Sequence, residues 1–587
     1  MSNPIIEREL VGLLRTKKAL WMLVATAAVF ALLVILRWPT DGLVAKSGAQ
    51  ARQVFQLFGY GMLAVLLLMV PVFPATSIVH ERIKGTMALL LNSPMSALSI
   101  YIGKLTGVLG FVLLLLIMSV PAAAACYVMG GLSITQDVLM LYGVLALASL
   151  QFCTLALWVS TYAGSNDSAL RITYGCVLLL VVVVLGPNLF FQGSQEVSWS
   201  DLGATFAEFF RAITSGNVSL IAAGFGESLM STVKCIGPKT RSLSPIPALM
   251  EILGHGDVGG HGMVSAGGEP RNYAIYAGIS IAVFFVMTLR RLNYSMFDRS
   301  RSQGIITDDQ NLKTRAARRV FFLIDPQRRK AGISFFMNPV MVKEFRCRAF
   351  GRLNWLLRII GACALVSLGL TYMTTMGTQD WGVETIGGMI VVLQVALIVM
   401  FTPSLAAGLI SSERESGGWD LLRMTPMSAF KILRGKLMSV VWTVLLVLCA
   451  TLPGYLVMMW IKPVMETQVH QVIICLLYTT LFAVMVSATM SSLFFRTGTS
   501  TAVSYGILMV VCAGTLLIWL GRGAPFGHST VEAALAINPM AAALNVIRSP
   551  GFTQYNLVPL NWWIMGVTSG VLFLVLVART WRLTRPT

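Results

Sequence analysis

Long apolar runs alternate with short polar connectors along the 587 residues of this chain. A run of about 20 apolar residues, each rising about 1.5 Å, crosses a hydrocarbon layer about 30 Å thick. Six such runs lie near 19–37, 54–79, 104–128, 137–163, 169–191 and 272–290. Six more lie near 355–373, 387–411, 436–461, 469–494, 499–520 and 561–579. They are continuously apolar and do not alternate, which predicts helices rather than barrel strands. The expected fold is an all-α polytopic membrane protein with about 12 transmembrane helices.

The polar positions repeat as well. Glu81-Arg82-Ile83-Lys84-Gly85-Thr86, Leu89-Leu90, Pro94-Met95-Ser96-Ala97, Ile100 and Gly103-Lys104-Leu105 are matched by Glu413-Arg414-Glu415-Ser416-Gly417-Gly418, Leu421-Leu422, Pro426-Met427-Ser428-Ala429, Ile432 and Gly435-Lys436-Leu437. Of these 25 positions 13 are identical. Each segment follows the second run of its half. Lipid-facing positions need only be apolar, so a connector that keeps its residue types points to a contact. The expected organisation is a tandem duplication: a six-helix repeat over 1–291, a basic linker over 292–337 and a second six-helix repeat over 338–587.

Both halves open alike. Asn3-Pro4-Ile5-Ile6-Glu7-Arg8-Glu9-Leu10 parallels Asn338-Pro339-Val340-Met341-Val342-Lys343-Glu344-Phe345. Pro suits a first helical turn. Ile6, Leu10, Leu13 and Leu14 form an apolar face against charged Glu7, Arg8 and Arg15. This predicts an amphipathic interface helix before each repeat, with Glu9 and Glu344 in corresponding places. Lys104 and Lys436 open the third run of each half and are expected to snorkel toward headgroups. Pro121 and Pro453 are expected to kink that run.

Composition agrees. The chain is 56% hydrophobic and 12% charged, against roughly 25% charged in soluble domains. The net charge of +19 is concentrated in the linker, the N-terminal segment, the repeated connectors and the C-terminus. That is the positive-inside pattern, which places both termini and the linker in the cytoplasm and leaves no need for nucleic acid. The polar, acid-containing N-terminus does not read as a cleavable signal, so the first helix is expected to stay in the membrane. The nine cysteines lie mostly inside the runs and give no disulfide or metal spacing. His255, Asp257 and His261 fall in a Gly-rich outer connector and read as a solvated loop rather than a metal site.

Catalytic motifs are missing from the sequence. It contains no Gly-x-x-x-x-Gly-Lys-Ser/Thr phosphate loop, no Gly-x-Ser-x-Gly and no His-Glu-x-x-His. The runs hold almost no ionisable residues of the kind an ion-coupled carrier uses at the midplane. Gln151 and Gln394 read as bonds between helices. A twelve-helix secondary carrier and a membrane anchor for a cytoplasmic complex remain the competing readings.

The Glu-Arg-x-x-Gly segment with Leu-Leu, Pro-Met-Ser and Gly-Lys resembles the membrane subunit of type-2 ATP-binding-cassette exporters. The resemblance implies six spans per unit, an amphipathic helix before the first, and a coupling helix between the second and third that rests on an ATPase. By that likeness Glu81, Arg82, Gly85, Pro94, Glu413, Arg414, Gly417 and Pro426 form two ATPase-coupling elements, with Glu9 and Glu344 on the interface helices beside them. It implies an exporter permease without a cofactor of its own, ATP being held by two separate cytoplasmic ATP-binding-cassette subunits. Its setting is the bilayer of a bacterial inner membrane, with room for accessory extracytoplasmic proteins. Thr86 against Gly418 sets the two connectors apart.

Overall fold

The computed structural model describes residues 4–15, 17–35, 49–93, 95–164, 166–181, 240–254, 268–294, 338–347, 383–520 and 526–584, with single residues at 184 and 361. Among these residues every element is a helix. In chain order the first set is α1 (Pro4–Leu14), α2 (Lys17–Ile35), α3 (Ala49–Met69), α4 (Val72–Ile83), α5 (Thr86–Leu91), α6 (Ala97–Val128), α7 (Met140–Tyr162), α8 (Asn166–Val181), α9 (Pro245–Ile252) and α10 (Glu269–Tyr294). The second set is α11 (Pro339–Cys347), α12 (Val383–Ala406), α13 (Ser411–Glu415), α14 (Gly418–Arg423), α15 (Ala429–Ile461), α16 (Glu466–Leu493), α17 (Thr497–Met509), α18 (Thr515–Leu520), α19 (His528–Ala536), α20 (Pro539–Val546) and α21 (Leu560–Thr584).

Nine stretches among the described residues are long and apolar enough to cross a bilayer. Two more expected spans, α2 and α8, are helices with shorter apolar stretches, Leu23–Leu32 and Ser168–Val181. The span expected near 355–373, the basic linker from 295 on and the residues His255, Asp257 and His261 lie outside the described residues. The chain is thus a multi-pass integral membrane protein.

Prolines shape the second span of each set differently. Pro71 has no N–H with which to continue α3, and the chain restarts as α4 at Val72. Pro403 lies inside α12, which ends at Ala406. Pro121 and Pro453, expected to kink the third span, lie inside helices that run on past them.

Each set has its own apolar core. In the first, Phe55, Phe58 and Met62 of α3 pack with Phe111 of α6 and Phe152 of α7. In the second, Val391 of α12 meets Tyr455 of α15, Val472 of α16 and Leu544 of α20. The glutamine inside each core is satisfied locally, as low polarity demands. Tyr273 Oη donates to Gln151 Oε1 at 3.0 Å, and Gln151 Nε2 donates to Ser280 Oγ at 3.0 Å. Tyr455 Oη donates to Gln394 Oε1, and Gln394 Nε2 to Thr451 Oγ1, each at 2.6 Å. Both glutamines therefore tie helices together, the role their sequence setting suggests.

At the end of the bundle away from the repeated connectors, short helices sit before the last span. Ser244 caps α9 by accepting from Ile246 N at 3.3 Å, and its hydroxyl donates to Val181 O at the end of α8 at 2.8 Å. Asn538 caps α20 by accepting from Met540 N at 2.8 Å, and its Nδ2 donates to Cys512 O at 2.8 Å. The same Ser/Asn-Pro device thus fastens each short helix to the fifth span.

Candidate functional site

At the connector end of the first set, α1 lies against α6. A Cβ on Gly107 would stand 2.7 Å from Glu9 Cβ, so glycine there admits the close approach. The approach delivers Glu9 to Lys104: Lys104 Nζ donates to Glu9 Oε1 at 3.0 Å and lies 3.8 Å from Glu81 Oε1. Arg8 closes the group, with Nη2 at 2.6 Å from Glu81 Oε1 and 3.0 Å from Glu9 Oε1. Burial alone would raise the Glu9 carboxyl. Lys104 and then Arg8 outweigh it and hold Glu9 below the usual carboxylate range.

The second set builds the same group from corresponding residues. Lys436 Nζ donates to Glu344 Oε1 at 2.6 Å and to Glu413 Oε1 at 3.3 Å, and Lys343 Nζ reaches Glu413 Oε1 at 2.9 Å. Each cluster joins three elements: the interface helix, the end of the second span and the start of the third. The lysines correct the expectation of snorkelling, since Lys104 is 2% exposed and Lys436 1%. Two carboxylates lie within 3.8 Å of each ammonium, one of them supplied by the interface helix.

The clusters are not equal. Glu344 is 4% exposed where Glu9 is 24%. Thr86 Oγ1 donates to Glu81 Oε2, which gives Glu81 a second partner on its own connector. At Gly418 a Cβ would stand 2.4 Å from Glu413 Oε2, so the glycine leaves that carboxylate room. Glu413 is instead held by its two lysines.

The connectors turn on glycine. Gly85 and Gly417 both take φ of 75°, a left-handed conformation costly for residues with a Cβ, and a short helix follows each. Arg82 and Arg414 point back into the bundle. Arg82 Nη2 donates to Ser160 O and Thr161 O at 3.1 Å, and Arg414 Nη1 to Ser492 O at 3.5 Å. These carbonyls belong to the last turns of α7 and α16, where a helix lacks internal donors and favours a cation. Ser160 Oγ accepts from Ile78 N and Val79 N, and Ser491 Oγ from Ile410 N and Ser411 N. Pro426 is exposed at the end of the second connector, and Pro94 lies outside the described residues.

The outward side is apolar at one matching position. Leu89 on α5 is 73% exposed and Leu421 on α14 is 69% exposed. The opposite faces are buried: Met87 joins Tyr101 and Leu292, while Trp419 joins Leu409 and Leu433 and donates its Nε1 to Leu583 O at 3.1 Å. Glu415 adds a link without a counterpart at Ile83, accepting from Thr497 N at 3.0 Å and Thr497 Oγ1 at 2.6 Å at the start of α17.

The two sets meet along their second and fifth spans. The rings of Tyr174 on α8 and Tyr505 on α17 lie 4.8 Å apart. Tyr174 Oη donates to Leu68 O at 2.5 Å, and Tyr505 Oη to Met400 O at 2.7 Å. Each tyrosine is therefore bonded to the second span of its own set, three residues before Pro71 or Pro403. Arg171 crosses the seam to Ser404 O at 3.3 Å.

Sequence reasoning named the four acids, and Tyr174 as a residue that packs or bonds between helices, but missed Arg8 and Lys343 as partners of the acids and the pairings Ser160/Ser491 and Tyr174/Tyr505. A usable signal existed, because each pair keeps nearly the same separation as the repeated connectors. Among the described residues no group of three or more His, Cys, Asp or Glu could hold a metal. Residues 6–192 match a family model described as ABC-2 family transporter protein. No curated protein matches the chain.

Proposed function

We propose, from the premise that residues 6–192 belong to the ABC-2 family of transporter proteins, that this chain is the permease of an ATP-driven exporter made of two six-span units fused in tandem. The membrane pathway is the chain's own part. ATP binding and hydrolysis belong to separate cytoplasmic subunits, since this sequence offers no phosphate-cradling loop. The observation that carries the reading is the pair of ion clusters built from corresponding residues around Lys104 and Lys436.

Each cluster makes a connector continuous with an interface helix and a third span. Force applied at Leu89 or Leu421 is then delivered to a block of helices rather than dissipated in a loop. Closure of two ATPase subunits would carry both connectors as rigid bodies and rock the two units about the Tyr174–Tyr505 seam. ATP supplies the differential affinity that such a switch needs. The positive-inside pattern supports connectors and termini on the cytoplasmic side, and the membrane in this reading is a bacterial inner membrane.

The experiment is purification of the tagged chain from its native membranes with measurement of co-purifying ATPase activity. The double charge reversal Glu81→Lys/Glu413→Lys is expected to remove that activity while the chain still inserts. Undiminished ATPase recovery with the double variant would overturn the proposal.

A further inference from the structure

The two outward tips differ at exposed positions. The first tip presents Ile83, Leu89, His80 and the cation Lys84, all exposed. Its remaining charges, Glu81 and Arg82, are held inward. The second tip presents Leu421 and Met424, the latter 82% exposed, together with an exposed Asp420. Arg423 stands 3.5 Å from Asp420 and is the more buried of the two. Lys431 and Arg434 are exposed at the base, where α15 begins. Only the leucine is shared. Its apolar neighbour lies before the helix in one tip (Ile83) and after it in the other (Met424).

A symmetric motor of two identical subunits offers the same socket twice. A socket fitted to a purely cationic tip places acids where Asp420 would sit, and like charges brought together across an interface cost several kcal/mol. A socket shaped for Ile83 beside Leu89 also leaves Met424 in water. We infer that the two connectors dock on two different ATP-hydrolysing subunits: the first on an apolar pocket rimmed by acids, the second on a wider apolar pocket rimmed by a base. This rests on the proposed coupling role of the connectors. The unequal internal fastening agrees with it, since Glu415 and Trp419 bind the second connector to the fifth and sixth spans and Ile83 and Met87 cannot form those hydrogen bonds.

The test places the photo-crosslinking residue p-benzoylphenylalanine at position 89 or 421 of the full-length chain in native membranes. Captured polypeptides are identified by peptide sequencing and by ATP photolabelling. The expected result is two distinct ATP-binding polypeptides, one per position. Lys84→Glu is expected to lower capture at 89 at least tenfold and to leave capture at 421 within twofold. Asp420→Lys is expected to do the reverse. The same polypeptide at both positions, or capture at one position alone, overturns the inference while leaving the coupling role intact. Absence of any ATP-binding polypeptide at either position overturns the coupling role and the inference with it.

Discussion

Replacing Lys436 by Met removes an ammonium that is 1% exposed and sits between two carboxylates. Glu344, 4% exposed, loses its 2.6 Å partner, whereas Glu413 keeps Lys343 at 2.9 Å. Stripping one partner from a buried ion pair costs about 3–5 kcal/mol, because the remaining carboxylate keeps its desolvation cost without the ammonium that offset it. The matching Lys104→Met change is milder. Arg8 remains 3.0 Å from Glu9 and 2.6 Å from Glu81, Thr86 still donates to Glu81, and Glu9 reaches solvent. The loss there is about 1–2 kcal/mol, near that of an ordinary hydrogen bond to a charged group. The difference of about 2–3 kcal/mol corresponds to roughly 30- to 150-fold in an unfolding equilibrium. The assay is reversible unfolding of the purified chain in mixed detergent micelles, read by tryptophan fluorescence. Lys436→Met is expected to unfold at clearly lower denaturant than Lys104→Met, and adding Glu344→Gln to Lys436→Met is expected to recover most of the loss. Equal sensitivity of the two single variants, or no recovery in the double variant, would refute the reasoning.

Further outcomes follow from the same geometry. Ser491→Ala is expected to cost about 1–2 kcal/mol, because Ile410 is the N-cap of α13 and Ser411 its first residue, where N–H groups have no acceptor inside the helix. Ser160→Ala should cost less, since Ile78 and Val79 lie inside α4 and their N–H groups have helical acceptors, and unfolding of both variants in the same assay tests the order. The folded Glu9 carboxyl titrates below its unfolded value of about 4.3, so its contribution is complete above that pH and fades as pH falls through the depressed value. The stability gap between the parent and Glu9→Gln is therefore expected to close as pH falls below the unfolded value of about 4.3 and through the depressed folded one, measured by thermal unfolding. Gly85→Ala and Gly417→Ala should each lose about 1–2 kcal/mol through the left-handed φ alone, checked against Gly12→Ala at a helical position. A cysteine replacing Val320 is expected to react only with reagent on the cytoplasmic side, and one replacing Gly260 only from outside; the opposite labelling would reverse the topology.

The fold was largely legible because lipid imposes one strong rule: twenty apolar residues in sequence form a helix. The spans expected near 104–128 and 272–290 follow from that rule, and the helices run beyond them, to Ala97–Val128 and Glu269–Tyr294. The connector helices were legible only through repetition, since six residues such as Thr86–Leu91 carry too little pattern to predict alone. Partners were harder. Lys104 reads as a headgroup lysine because snorkelling depends on local sequence, whereas its burial depends on Glu9, 95 residues away, arriving through the groove at Gly107. Tyr174 and Tyr505 carry no sign of their meeting, because a tyrosine inside an apolar run is ordinary until the opposite helix is placed. Arg82 and Arg414 were assigned to the connectors by position, but the free carbonyls that hold them belong to helices far along the chain.

The fastening of Tyr174 and Tyr505 to their own second spans bears on how easily the molecule can part. Across the boundary between the rings lies mainly dispersion, a contact worth about 0.5–1.5 kcal/mol for an aromatic pair. The phenol oxygens lose nothing when the rings separate, because their carbonyls travel with them. At the paired rings the boundary can open and reseal many times without orphaning a phenol, and a polar contact that must break and re-form each time is the one from Arg171 to Ser404 O.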